Sequence, residues 1–292
     1  MTTPEKSQLS PLLKIAIERN ATDLHICPGA APHIKIKNAL EALEHEPLTG
    51  ATVRRILDEI IEAEQKRVLQ EMRAIEFTFA FDGIGRFRAY VYYQRGTLAV
   101  TVRILPFSIP TLREIGFDDD DFVKIIASKS KGLIVFTGAP GAGKTTTMAA
   151  IVDFINETAS RRIAAIENPI EYLHRHKKSL ITQQEIGADA PDTAAALRRV
   201  QRCNPDIIVL GEFQAWEGIE VNLRLLAEER LVLTTLQSAS IEEAFGKLKE
   251  ARLMHTAIAV IHQNYDEATD EREFFTVELE KYREETAGAG DL

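Results

Sequence analysis

A glycine-rich run near the middle of the chain has the residue types and spacing of a phosphate-binding loop. Residues 138–145 read Gly-Ala-Pro-Gly-Ala-Gly-Lys-Thr. A phosphate group needs several backbone N–H donors close together, and glycines allow the backbone to approach it closely enough. In a loop with this spacing, Lys144 reaches the β- and γ-phosphates and the hydroxyl of Thr145 is a ligand of Mg²⁺. The spacing therefore predicts a site for a nucleoside triphosphate with Mg²⁺, with these contacts: Gly138, Ala139, Pro140, Gly141, Ala142, Gly143, Lys144, Thr145 and Thr146.

The segments on either side of the loop are those that such a loop requires. Residues 132–137 form a short apolar run, which predicts a buried strand, and residues 145–158 carry apolar side chains at helical spacing. The N-terminus of that helix adds partial positive charge beside the loop. This context favours nucleotide binding over a glycine-rich turn without function.

The chain after the loop alternates short apolar strands with helices, which predicts a parallel sheet covered on both faces. The signal weakens beyond residue 242, where 258–261 and 274–277 are compatible with late strands or helix ends. The predicted elements are a strand at 162–166, a helix at 193–202, a strand at 207–211, a helix at 216–229 and a strand at 231–236.

The chain before the loop has its own pattern of elements, typical of a smaller α+β domain. Two prolines within 106–110 predict a linker, so we expect domains at 1–105 and 111–292. The predicted elements of the first are helices at 8–20 and 49–72 and strands at 23–26, 33–37, 75–81, 86–93 and 98–105.

Composition excludes some classes of function. The net charge of −9 disfavours a general nucleic-acid binder, which needs clustered Lys and Arg. An uninterrupted apolar run of about 18 residues is absent from the sequence, so we expect no direct insertion into a membrane. With no signal peptide at the N-terminus, the chain is predicted to be cytoplasmic.

Two glutamates are candidates for the chemistry of phosphoanhydride hydrolysis, which needs a metal, a positioned water and stabilisation of negative charge. Glu212 ends the apolar strand of 205–212, at the strand end where ligands bind in open α/β sheets. We expect it to contact the metal or the attacking water. Glu171 follows the preceding strand and is predicted to lie beside the same crevice.

Several motifs together resemble one family. Residues 21–26 (Ala-Thr-Asp-Leu-His-Ile), 86–96, 167–171 (Glu-Asn-Pro-Ile-Glu) and 205–212 are similar to motifs of the type II/IV secretion ATPase superfamily. The sequence most closely resembles its PilT group of pilus retraction motors. The resemblance extends over nearly the whole chain up to about residue 240.

This resemblance implies a RecA-like P-loop core and a PAS-like N-terminal domain, assembled in a hexameric ring at an inner-membrane pilus platform protein. It implies that Glu171 is the Asp-box glutamate that polarises water and that Glu212 is the Walker B glutamate. Arg88 and Arg103 match the arginines of the first domain that reach a nucleotide in the same or the neighbouring subunit. Guanidinium groups suit that task because they stay charged and bind phosphate oxygens in two places.

The sequence departs from the family pattern at four places, one of which is the shortened part after the His box, where residues 251–281 stand for the family's helical extension. Asn168 stands where an aspartate is expected, Phe213-Gln214-Ala215 stands where Arg-Asp is usual, and both His-box histidines are replaced. Gln237, in place of the second histidine, can donate a hydrogen bond to a γ-phosphate oxygen but carries neither a proton nor a charge. We expect nucleotide binding to survive these changes and fast turnover to suffer.

Three hypotheses follow. The first is an ATP-hydrolysing motor of the pilus retraction family; retraction and assembly motors share these motifs, and the short segment before Ala21 favours retraction. The second is a catalytically weak nucleotide-binding subunit that joins a ring formed by an active homologous pilus ATPase. The third, a small-molecule or nucleotide kinase, leaves the first domain and both glutamate motifs without a role.

Overall fold

The computed structural model describes residues 7–37, 39–211, 219–266, 269 and 271–279. The chain divides into two compact units, Met1–Phe107 (unit 1) and Ser108–Leu292 (unit 2). The division falls between the two prolines of the segment 106–110.

The described part of unit 1 is an antiparallel sheet with helices. The sheet has six strands in the order β3-β2-β1-β6-β5-β4. In chain order the elements are α1 (Leu9–Glu18), β1 (Asp23–Ile26), β2 (His33–Ile36), β3 (Ala39–Ala42), α2 (Gly50–Asp58), α3 (Ala63–Met72), β4 (Ala74–Phe81), β5 (Gly85–Gln94) and β6 (Thr97–Ile104).

The core of unit 1 lies between the helices and one face of this sheet. Phe87, Ala89 and Val91 alternate along β5 and are fully buried, as are Leu13 of α1 and Val53 of α2. Because side chains alternate across a strand, the intervening residues of β5 lie on the opposite face.

The single long helix predicted at 49–72 is wrong, because α2 ends at Asp58 and α3 begins at Ala63. Glu62 starts the second helix with a capping box, in which its main-chain N–H donates to Oε1 of Gln65 at 2.9 Å. Such a box satisfies N–H groups that lack partners at a helix start. Ile61 is buried at the joint, so the apolar pattern continues across the break and resembles one helix.

Unit 2 has the α/β architecture that the sequence predicts. Its sheet has seven strands in the order β13-β12-β7-β11-β10-β8-β9, all parallel except the antiparallel edge strand β13. The described elements are α4 (Asp120–Ser128), β7 (Gly132–Gly138), α5 (Lys144–Thr158), β8 (Arg162–Glu167), β9 (Leu180–Glu185), α6 (Thr193–Arg202), β10 (Ile207–Leu210), α7 (Glu220–Glu229), β11 (Leu231–Gln237), α8 (Ile241–Glu250), β12 (Ala257–Asp266) and β13 (Glu271–Glu278).

Both faces of this sheet are covered by apolar side chains. Along β7, Leu133 and Val135 belong to one core cluster, whereas Ile134 and Phe136 belong to the other. Every residue of β7 is buried. A central parallel strand buried on both faces accounts for the continuous apolar run before the glycine-rich loop.

The C-terminal segments that were compatible with strands or helix ends are strands, and the structure has further elements that the sequence did not predict. Residues 258–261 and 274–277 lie in strands, which pair as the hairpin β12–β13. The polar strand β9 (Leu-Ile-Thr-Gln-Gln-Glu) lies at the sheet edge, where one-sided pairing tolerates polar residues. The predicted helix 216–229 is described only from Glu220, since 216–218 lie outside the described residues. The elements β3, α4, β9 and α8 were not predicted.

A buried asparagine holds the connection between β8 and β9. Asn156 of α5 is fully buried, and its Nδ2 donates to the carbonyl of Arg175 at 2.7 Å. Its Oδ1 accepts from the main-chain N–H groups of Lys177 at 3.2 Å and Ser179 at 3.3 Å. One side chain therefore satisfies three backbone groups of a crossing segment that has no regular structure.

Replacing Asn156 with Leu is expected to lower the free energy of unfolding by about 3 kcal/mol, since three hydrogen bonds made by its buried side chain are lost. Urea denaturation of the whole chain measures this change. Asn222→Leu, at a half-buried position on α7, is the control. Equal stability of Asn156→Leu and wild type would show that the asparagine does not hold this segment.

A buried histidine lies in the same segment. The side chain of His174 is 6% exposed, and its Nδ1 lies 4.0 Å from Oδ1 of Asp153. Burial lowers the pKa of His174 to about 4; Asp153 opposes this shift and Lys177 adds to it. The folded chain therefore holds a neutral imidazole that the unfolded chain protonates below about pH 6.5.

Because the folded pKa of His174 is below the unfolded one, stability is lost as pH falls from about 6.5 to about 4. This histidine contributes a loss of about 3 kcal/mol over that window. In His174→Gln the loss should shrink by that amount, whereas His255→Gln, at an exposed position, should leave it unchanged. Equal pH dependence of His174→Gln and wild type, measured by denaturation across the window, would contradict this assignment.

Candidate functional site

The glycine-rich loop leaves the end of β7 in the middle of the unit 2 sheet and leads into α5. Its glycines have backbone angles that other residues rarely adopt, with φ of +151° at Gly138, +81° at Gly141 and +90° at Gly143. These angles turn the chain back on itself ahead of the helix. The position of the loop at the carboxyl end of a central parallel strand is where open α/β sheets bind their ligands.

The loop lies against the neighbouring strand β12. A Cβ added at Gly138 would come within 2.4 Å of the main-chain oxygen of Gln263. A Cβ added at Gly143 would lie 3.1 Å from Nε of Arg272 and 3.2 Å from Nε2 of Gln263. Glycine is therefore required at Gly138 by the space available as well as by the backbone angle.

Lys144 begins the helix with its side chain folded over the loop. The residue is 4% exposed, and its Nζ donates to the carbonyl of Ala139 at 2.9 Å. The helix proper starts here, since the N–H of Thr147 donates to the carbonyl of Gly143 at 3.0 Å. Thr145 is half-buried in the first turn of α5, next to the helix N-terminus. This arrangement concentrates positive charge around the concave side of the loop.

The segment after β8 reaches the same helix turn. The Tyr172 hydroxyl and Oγ1 of Thr146 lie 2.9 Å apart in a hydrogen bond. Burial raises the pKa of Tyr172, with a smaller contribution in the same direction from Glu171. The predicted residue Glu171, half-buried, therefore lies close to a tyrosine that contacts the start of α5.

The ends of β8 and β10 meet beside this segment. Glu167 is buried and accepts a hydrogen bond from Nε2 of Gln183 at 2.9 Å. A Cβ added at Gly211 would lie 3.1 Å from Cα of Glu167, so the two strand ends approach closely. The predicted residue Glu212 and the adjacent Phe213-Gln214-Ala215 lie outside the described residues.

Gln237 ends β11, directly beside the loop. It is the register partner of Gly138 on β7, and the N–H of Ser238 donates to the carbonyl of Gly138 at 3.2 Å. The carbonyl of Gln237 accepts from Nζ of Lys247 at 2.7 Å. Gln237, predicted from the sequence to contact a nucleotide, thus lies beside the first glycine of the loop.

Arg88 and Arg103 lie side by side in unit 1. They are register partners on β5 and β6, on the face of the sheet opposite the buried Phe87. Arg88 binds Glu76 through two nitrogens, at 2.6 and 2.7 Å. Arg103 donates from Nε to Oδ1 of Asp23 at 3.0 Å, and its side chain is 60% exposed. The sequence predicted both arginines but not these carboxylate partners.

The sequence analysis did not identify three residues that lie at this site: Tyr172, Gln263 and Arg272. Tyr172 directly follows the Glu-Asn-Pro-Ile-Glu motif, which could have drawn attention to it. Gln263 interrupts an apolar strand with a fully buried polar side chain. Arg272 has no local signal, since its place beside the loop depends on the hairpin β12–β13.

The described part of the chain contains neither a membrane-spanning helix nor a cluster of metal-ligating side chains. None of the helices in the described part of the chain is long and apolar enough to cross a membrane. Within the same residues, no group of three or more His, Cys, Asp or Glu is placed to hold a metal ion.

Comparison with known proteins agrees with this geometry. A family model described as type II/IV secretion system protein matches residues 3–263. The chain is 30% identical to the type IV pilus ATPase PilU of Pseudomonas aeruginosa over 241 residues, covering 82% of this chain and 63% of PilU. It is also 30% identical to the pilus retraction ATPase PilT of that organism over 240 residues, covering 82% and 69%. The chain thus spans less than two thirds of the length of PilU.

Solved structures show the same fold. A crystal structure of the pilus retraction motor PilT with bound ADP matches with a TM-score of 0.81 and 33% identity, covering 91% of this chain and 81% of that chain. The ATPase DotB of Legionella pneumophila matches with a TM-score of 0.79 at 22% identity, covering 97% and 83%, and supports the fold alone.

Gly138→Ala is expected to lower the free energy of unfolding by about 3 kcal/mol, through backbone strain and overlap with the main chain of Gln263. Gly141→Ala is the matched control, since that glycine also has a positive φ but a Cβ there meets nothing within 4 Å. Thermal or urea denaturation of both variants measures the difference. If the two variants lost the same stability, the contact with β12 would not constrain the loop.

Proposed function

Because the chain belongs to the type II/IV secretion system protein family, we propose that it is an ATP-binding and ATP-hydrolysing motor of type IV pilus retraction. The observation that carries this proposal is the loop of residues 138–145, with three positive-φ glycines and the buried Lys144 at its helix end. The similarity to PilT and PilU supports the motor function.

The residues present suit a magnesium nucleotide. The glycines leave the concave side of the loop without side chains, so its N–H groups can reach the α- and β-phosphates, while Lys144 can reach the β- and γ-phosphates. Thr145 offers a hydroxyl oxygen in the first turn of α5. Mg²⁺ is usually bound by a few protein oxygens together with phosphates and water. One hydroxyl oxygen beside the bound phosphates is therefore a suitable protein ligand. When bound, the ion neutralises negative charge on the phosphates.

Glu212 and Glu171 are proposed to orient and activate the attacking water. Glu171 lies beside Tyr172, which contacts Thr146 at the start of α5. This hydrogen bond connects the segment that carries Glu171 to the start of α5. A movement of one would therefore displace the other. Glu212 follows Gly211 in the sequence, and Gly211 lies next to the end of β8.

The residues that depart from the family pattern are proposed to lower the rate of ATP hydrolysis and to leave nucleotide binding intact. Gln237, at the first glycine of the loop, can offer an amide N–H to a γ-phosphate oxygen but no charge. Removing one group that acts on the transition state typically costs about 10²- to 10³-fold in rate. Asn168 further removes a negative charge from the segment that holds Glu171.

The assembly is proposed to be a hexameric ring, in which Arg88 and Arg103 reach the nucleotide of the same or the neighbouring subunit. Their carboxylate partners Glu76 and Asp23 hold the guanidinium groups in place until phosphate contact. The ring is proposed to act in the cytoplasm, attached to the inner membrane through a pilus platform protein. A homologous pilus ATPase is a further proposed partner.

Lys144→Ala is expected to abolish Mg²⁺-dependent ATP hydrolysis by the purified chain, because the β- and γ-phosphates lose their fixed cation. Steady-state phosphate release measures this, with Lys124→Ala, an exposed lysine on α4, as the control that keeps the wild-type rate. Hydrolysis by Lys144→Ala as fast as wild type would contradict the proposal. Wild type without hydrolysis but with ATP binding would instead favour the catalytically weak ring subunit.

A further inference from the structure

One side of the hairpin β12–β13 carries Gln263 and Arg272, which lie next to the nucleotide loop. Tyr265 pairs with Arg272 and Gln263 pairs with Phe274 in the register of the two strands. Because residues two apart share a face of a strand, these four side chains lie on one side of the hairpin. Phe274 anchors that side to the core of unit 2 through an edge contact with Phe117, with ring centroids 4.8 Å apart.

Gln263 joins the hairpin to the loop. The residue is fully buried, and its Nε2 donates a short hydrogen bond to the carbonyl of Ala142. Its main-chain oxygen lies against Gly138, at the other end of the loop. The hairpin is therefore in contact with both ends of the glycine-rich loop, and its position there is fixed.

Arg272 lies next to Gln263, with its guanidinium beside the loop. A Cβ added at Gly143 would lie 3.1 Å from its Nε and 3.8 Å from its Nη2. Its Cζ lies 5.1 Å from the centroid of the Tyr265 ring. The guanidinium is also close enough to Tyr172 for its charge to lower the pKa of that tyrosine, against the larger effect of burial.

The Nε of Arg272 is buried and has no hydrogen-bond partner within the described residues. A buried hydrogen-bond donor without a partner destabilises the folded protein, and the loss of free energy is larger when the donor belongs to a permanently charged group. An anion bound in the loop would supply that partner. The backbone of such a loop surrounds the α- and β-phosphates, and Gly143 belongs to that backbone.

The same arginine also lines a cavity of unit 2. A cavity of about 420 Å³ is lined by residues 116–119 on one side and by Arg272, Phe274 and Thr276 on the other. Arg272 therefore touches both the loop and this cavity.

We propose that Arg272 is a nucleotide-binding residue supplied in cis: its guanidinium holds the α- and β-phosphates of the nucleotide bound in the loop. The inference rests on the proposed nucleotide site and adds to it a cation that does not come from unit 1 or from a neighbouring chain. Since the contact is made to the α- and β-phosphates, it is made equally with ADP and ATP.

Calorimetric titration of the whole chain with Mg·ADP and with a non-hydrolysable Mg·ATP analogue tests this. Arg272→Gln is expected to weaken both affinities by a similar factor, roughly 10- to 100-fold for loss of a charged hydrogen-bonded contact. Arg272→Lys, which keeps the charge but loses the planar fork, should weaken both by a smaller factor. Arg198→Gln, at an exposed position on α6, is the control that should bind as wild type does.

Unchanged affinities in Arg272→Gln, with normal binding by wild type, would overturn this inference and leave the proposed function intact. A loss confined to the ATP analogue would also overturn it, because the contact would then be to the γ-phosphate. If Arg272→Gln fails to fold, Arg272→Lys carries the test, and wild-type affinity of that variant would refute the contact. Failure of wild type to bind either nucleotide would overturn the proposed function itself.

Discussion

The site depends on one close approach between two backbones. Gly138, the first residue of the loop, lies so near the main-chain oxygen of Gln263 that no side chain fits between them. This contact forms only if β12 pairs with β7. The apolar side chains that cover both faces of the sheet hold these two strands in place. The apolar clusters on the two faces therefore support the loop geometry as well as the stability of unit 2.

The surroundings of the loop come from distant parts of the chain that meet where the parallel strands end and the antiparallel strand β13 begins. Gln237 arrives with β11, Tyr172 follows β8, and Gln263 and Arg272 arrive with the hairpin β12–β13. Parallel strands place such ends along one edge of a sheet. The loop supplies the backbone N–H groups, and these neighbours supply the side chains around it.

The sequence predicted what depends on local pattern. Glycine spacing identified the loop, and continuous apolar runs identified the strands β7, β10 and β11. It did not predict the break between α2 and α3, where the capping box of Glu62 interrupts an unbroken apolar stripe. Nor did it predict Arg272, because the loop and the hairpin are joined by a hydrogen bond between Ala142 and Gln263, far apart in sequence. Glu212 stays a prediction.

Hydrogen–deuterium exchange of the wild-type chain, with and without Mg·ADP, tests most directly that the loop and the hairpin together form one nucleotide site. Bound nucleotide is expected to slow exchange of the amides of the loop, 139–147, and of the hairpin strands, 262–266 and 271–274. Nucleotide binding that left either the loop amides or the hairpin amides unprotected would contradict this claim.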